Sequence, residues 1–188
     1  DGDEPGSGLF PAKRPAFTVL VPIHKDYVGG DYYFIESEQE GAAASLVFEE
    51  VPDDELKVLK AHRNLGRADR RSFKIEDVFS SPSANSLKRA VMNFLVGAAI
   101  RRVQQIDLKQ EPEYYSFVIH TEQARSSHDW QEEVVKRLHQ DLMTMAKHSM
   151  KQLASEVRIA YDNLKRSVEL SHTELPDFHL VYALVLAV

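Results

Sequence analysis

Tyr114-Tyr115-Ser116-Phe117-Val118-Ile119-His120 is the stretch on which the fold class turns. Aromatic and β-branched residues fill it, Pro112 precedes it, and a polar turn from Thr121 to Ser127 follows. A run that is apolar along its length predicts a buried strand, covered by helices on both faces. Ala16-Phe-Thr-Val-Leu-Val21, closed by Pro22, has the same character and is expected in the same sheet. Tyr32 to Ile35 and Ser45 to Phe48 read as shorter extended pieces.

Helices are expected between and beyond these strands. Asp53 to Asn64 opens on Asp53, Asp54 and Glu55, which favour a helix start, and Gly66 can stop it. Leu87, Ala90, Val91, Phe94, Leu95 and Ala98 recur at three- and four-residue spacing. That helix is expected to take Ser83, Asn85 or Ser86 as its cap, with Arg101 and Arg102 at its carboxyl end. Further on, Val134, Leu138, Leu142 and Met145 form one apolar stripe. Met150, Leu153, Val157, Tyr161, Leu164 and Val168 form a second. The two stripes fit one long helix, or two helices broken near Lys147 to Ser149. Pro176 opens a final helix or strand, and the apolar ending, Tyr182 to Val188, predicts a domain cut short. The expected class is α/β: a small sheet flanked by helices, with a long C-terminal helical segment. Residues 1–15 read as a linker or cut end, 16–188 as one domain, and 146–188 as a helical appendage to it.

The 188 residues are 43% hydrophobic and 28% charged, enough to bury a core. Cysteine is absent, which excludes disulfides, thiolate catalysis and cysteine-ligated zinc. No apolar run approaches the roughly 18 residues of a membrane helix, and the acidic, glycine-rich start is no signal peptide. A cytoplasmic location without a membrane partner is expected. The net charge of -6 argues against a general nucleic-acid coat, but it hides a division. Asp26 to Leu56 carries ten acids and no Lys or Arg. Lys57, Lys60, Arg63, Arg67, Arg70, Arg71 and Lys74 then follow against one acid, Asp69. That strip is a candidate phosphate contact; the alternative is a solvated helix and loop beside an acidic neighbour.

The chemistry of a complete enzyme is missing. No Gly-Lys-Ser/Thr tail of a phosphate-binding loop occurs, so this chain does not cradle a triphosphate by itself. Asp54-Glu55-Leu56-Lys57 superficially matches a magnesium box but fails at its last position. Pro52-Asp53 with Glu55-Leu56-Lys57 brings nuclease-type carboxylates too close in sequence to come from adjoining strands. Eight histidines include no His-Glu-x-x-His pair, so no metal site is expected. His120 ends the predicted strand, where open α/β sheets gather ligands, and His128 stands at the mouth of the next helix. The bland alternative is a hydrogen-bonded strand-end histidine with a capping neighbour.

Three ordered segments resemble the Z-one domain family of superfamily-two helicase-like, restriction-associated ATPases. The first is Val19-Leu-Val-Pro22 with Tyr27-Val-Gly-Gly-Asp-Tyr-Tyr-Phe34. The second runs from Ser86 to Arg102 around Phe94-Leu95, and the third is Ser116-Phe-Val-Ile-His-Thr121. The resemblance implies a RecA-like second lobe of an ATP-driven DNA translocase in a restriction endonuclease system. DNA, an ATP-binding lobe of the same protein and a nuclease subunit are the implied partners. ATP and magnesium would enter only with that separate lobe, leaving the isolated chain inactive. The resemblance puts Tyr27, Gly29 and Gly30 on the cofactor side. It makes the turn with His120, Glu122, Arg125 and His128 the element coupling nucleotide state to DNA movement. Two departures stand out. Tyr114 or Tyr115 replaces a histidine common in the family, and the family's later Gly-Gly…Leu-Ser-Arg-Gly-Leu-Thr segment is absent. The arginine that would stabilise a transferring phosphate is therefore not supplied. The competing function is a nonenzymatic helical interaction or dimerisation domain that holds a nuclease partner, suggested by the Met150 to Val168 stripe.

Overall fold

The computed structural model describes residues 29–46, 49–59, 73–120, 125–170 and 173–187. Among them there are helices and turns of 3-10 helix, and no strand. The order is α1 (Gly30–Phe34), α2 (Asp53–Leu59), α3 (Asn85–Asp107), α4 (Arg125–His148), α5 (Met150–Leu170) and α6 (Phe178–Ala187). The α/β expectation is therefore corrected: the described chain is all helical, and no RecA-like sheet is present in it. Residues 16–21, read as the companion strand, lie outside the described residues, as does the linker read at 1–15. Tyr32 to Phe34 belong to α1, and Ser45-Leu46 to the 3-10 turn Ala43–Leu46.

The deciding stretch, Tyr114 to His120, is neither helix nor strand. After α3 ends, Lys109 takes a left-handed backbone, φ 54°, and the chain doubles back along the helix it has just left. The Arg102 guanidinium donates to the Glu113 carbonyl at 3.0 Å, and the buried Gln105 amide oxygen accepts from Glu113 N–H. Further along, the Phe117 ring lies 5.3 Å from that of Phe94. Tyr115 and Ile119 are partly buried, whereas Tyr114 is 99% and Val118 81% exposed. The cover on both faces expected of a buried strand is therefore not found among the described residues: only Tyr115 and Ile119 are partly buried. No backbone hydrogen bond joins Tyr114–His120 to another described residue.

One hydrophobic core joins α3, α4, α5 and α6. Val96, Ile100 and Val103 of α3 meet Leu138 of α4, Val157 and Tyr161 of α5, and Val181 of α6 in it. The stripes read on α4 and α5 are the buried faces: Val134, Leu138, Leu142 and Met145, then Leu153, Val157 and Tyr161. The α3 stripe is shifted. Ala90 is exposed, while Met92, Val96, Ala99 and Ile100 are buried. The cause is coverage from several sides, since α5, α6 and the returning segment all pack on α3, so no single face dominates.

Helix ends follow local chemistry. α4 closes with Lys147 and His148, cations that favour a carboxyl end. Ser149 interrupts the run, and its carbonyl accepts from Gln152 and Leu153 N–H to start α5. Two helices, not one, therefore span the two stripes. Asp177 caps α6, its carboxylate accepting from His179 N–H at 2.7 Å. The caps expected for α3 are replaced. Ser81 Oγ caps the 3-10 turn Pro82–Ala84 before it, and the Glu55 carboxylate of α2 accepts from Ser86 N–H.

Candidate functional site

α4 buries one face and leaves its flank open. Val135, Met143 and Ala146 stand one position around from the core stripe and, with the edge of Leu142, line two neighbouring clefts, together a furrow. Its upper part, about 580 Å³, lies between α4 and the returning segment, with Phe117, Val118 and Ile119 as the far wall. Its lower part, about 550 Å³, is walled by Met92 and Leu95 of α3, Met150 and Leu153 of α5, and Val185 to Ala187 of α6. His139 lines both parts and joins them. On α4 the lining residues run from His128 to Lys147, roughly 30 Å of helix at about 1.5 Å per residue. Met143 is 40% and Met150 51% exposed.

The rim is polar. Lys136 pairs with Glu132 one turn away on α4. That contact holds the Glu132 carboxyl below its usual range and raises the Lys136 ammonium, each through the hydrogen bond first and charge second. His120 and His128 face each other at the upper end, ring centroids 6.2 Å apart. The structure thus brings together two of the four residues read as a coupling turn. Arg125 opens α4 and is exposed; Glu122 lies outside the described residues. His120 does not end a buried strand: it sits exposed at the end of an extended segment. Among the described residues no group of three or more His, Asp or Glu is arranged to hold a metal ion.

Of the other predicted positions, Tyr27 lies outside the described residues. Gly29 precedes α1 with an extended backbone, φ -128°, and Gly30 starts it. Neither needs a glycine-only conformation, and a helix of five residues offers no anchored phosphate cradle. Lys57 lies exposed on α2 and Lys74 exposed just before a 3-10 turn. Lys60, Arg63, Arg67, Arg70 and Arg71 lie outside the described residues. Both ends of the basic strip nevertheless meet one side chain. Trp130 Nε1 donates to the Val58 carbonyl at 2.6 Å, and its ring packs edge-on against Phe73, centroids 6.2 Å apart. Gln131 Nε2 adds a bond to the Leu59 carbonyl at 3.0 Å. α4 therefore contacts the chain on both sides of residues 60–72.

Sequence reasoning missed the furrow itself. Its signal was present as a second apolar series on α4, Val135, Met143 and Ala146, beside the core stripe. Only the packing of α3, α5 and α6 leaves that series uncovered. No helix of the described residues is long and apolar enough to cross a membrane. Comparison with family models, curated proteins and solved structures finds no match for this chain.

Proposed function

We propose that this chain is a nonenzymatic helical interaction module that seats a partner in the α4 furrow. The observation that carries this reading is one helix with two apolar faces. Val134 and Leu138 are buried in the core, while Val135 and Met143 line clefts spread along roughly 30 Å of the same helix. A soluble domain that exposes a continuous apolar groove commonly uses it for binding. The resemblance in Ser86–Arg102 and Ser116–Thr121 supports a setting for it: an accessory part of an ATP-driven, DNA-acting restriction protein. In that setting ATP and magnesium belong to a separate lobe, and the strip from Lys57 to Lys74 is the proposed DNA contact. The RecA-like lobe itself is set aside, because the sheet it required is not formed by the described residues. The coupling role of His120, Arg125 and His128 rested on that sheet. His120 and His128 are read instead as the upper rim of the groove.

The test places a photo-crosslinking amino acid, p-benzoylphenylalanine, at position 135 of the full-length protein in its native host. Arg166, exposed on α5, serves as the control position. One dominant adduct to an ATP-binding lobe or nuclease subunit, absent at the control position, is expected. Adducts scattered over abundant proteins, or equal yields at both positions, would overturn the reading. Sustained ATP turnover by the purified chain alone would overturn it too.

A further inference from the structure

We infer that Met143 and Met150 form a methionine oxidation site that makes the lower cleft sensitive to peroxide; its effect on binding rests on the interaction-module reading above. The chain has no cysteine, so its four methionines carry all of its sulfur. The fold divides them into two pairs. Met92 and Met145 are 3% and 7% exposed, held in the hydrophobic core. Met143 and Met150 are exposed and line the cleft of about 550 Å³ from α4 and α5. Met92 borders the same cleft, but its neighbours cover it. Met143 and Met145 lie two positions apart on one helix, about 200° around its axis. Packing alone therefore separates their surroundings, and thioether oxidation follows exposure.

The co-reactant is a hydroperoxide. The thioether sulfur attacks one peroxide oxygen, the O–O bond breaks and an S–O bond forms. The proton on the transferred oxygen passes to the leaving oxygen, which departs as water or an alcohol. Sulfur loses two electrons and the peroxide gains them. A polar sulfoxide then stands where an apolar thioether stood. The fold does not hinge on the Met150 sulfur, because Met150 holds Tyr182 through its backbone carbonyl, which accepts from the phenolic hydroxyl at 3.1 Å. An apolar partner face laid on the oxidised cleft buries two sulfoxide oxygens without hydrogen-bond donors, which opposes binding. Methionine sulfoxide reductases restore the thioethers, so the change is reversible.

The first experiment needs no partner. The purified chain is treated with dilute hydrogen peroxide, and sulfoxide at each methionine is followed by peptide mass spectrometry. Met143 and Met150 are expected to oxidise at least about tenfold faster than Met92 and Met145, a gap that closes in urea. Similar rates for all four in the folded chain, or Met145 leading, would overturn the site. The second experiment uses the position-135 adduct in the native host. A brief peroxide pulse should lower its yield at least about fivefold, while Met143→Leu with Met150→Leu should keep it. Met143→Gln with Met150→Gln, polar without any oxidant, should lower it with no pulse. If that double variant fails to fold, Met143→Gln alone carries the comparison. Loss of yield in the Leu variant would place the effect of the pulse elsewhere and overturn the switch. Yield that ignores both the pulse and the Gln substitutions removes the switch and leaves the module standing. Adducts scattered before any pulse remove the module and the switch together.

Discussion

The Glu55 carboxylate accepts a hydrogen bond of 2.6 Å from the backbone N–H of Ser86, and both residues are buried. Ser86 lies in the first turn of α3, whose leading N–H groups have no partner within the helix. An acid from α2, 31 positions earlier, thus caps the central helix and complements its partial positive charge. The acidic run that superficially resembled a magnesium box contributes a structural cap instead. Replacing Glu55 by Ala leaves the Ser86 donor buried and unpaired, at a cost of about 2 kcal/mol. Glu55→Gln should recover part of this, since its amide oxygen still accepts. Urea unfolding of both variants checks it; a loss below about 0.5 kcal/mol for Glu55→Ala would remove the cap from the account.

Lys109 closes α3 in the left-handed region at φ 54°, where Gln110 N–H reaches back to the Gln105 carbonyl at 2.8 Å. This position usually takes glycine, because a Cβ there crowds the following carbonyl. Lys109→Gly is expected to stabilise the protein by up to about 1 kcal/mol, raising the thermal midpoint. A clear fall in the midpoint would mean that the Lys109 side chain makes a contact worth more than the strain.

Tyr161 donates its hydroxyl to the Pro176 carbonyl at 2.6 Å and so holds the start of α6 against α5. Burial, then the Asp177 carboxylate, push its pKa above the ordinary 10.0; Arg158 opposes this and Asp162 adds to it. The folded state therefore holds the phenolic proton more tightly than the unfolded state does. The associated stability is complete below the unfolded pKa and is lost as pH rises through the folded one. Tyr161→Phe should lower stability by about 1 kcal/mol at neutral pH and flatten the decline on the alkaline side. Unfolding curves at neutral and alkaline pH, compared between the two proteins, decide it. An unchanged alkaline slope would assign the pH dependence to other groups.

His120 is exposed, and its ring meets His128 at the rim of the furrow. His120→Ala should leave global stability within about 0.5 kcal/mol, as for surface substitutions away from caps and cores. A drop of more than about 1 kcal/mol in chemical denaturation would restore a structural role for this histidine and argue against an open rim.

By itself the sequence determined, in outline, helical structure around Leu87–Ala98 and the apolar stripes of α4 and α5, while leaving open whether those stripes lay on one helix or two. These are local properties, because side chains three and four apart share a helix face whatever surrounds them. Two matters were decided only by the tertiary structure. Tyr114 to His120 is apolar along its length and so predicts a buried strand, but a strand exists only where another segment supplies backbone partners. Here the run lies against helices instead, with Tyr115 and Ile119 partly buried, Phe117 beside Phe94 of α3, and Val118 exposed. The furrow was the other. Val135 and Met143 are apolar in the sequence, yet whether a second apolar series is covered depends on where α3, α5 and α6 come to rest. Periodicity reports which residues want cover, and only the packing of distant segments settles what provides it.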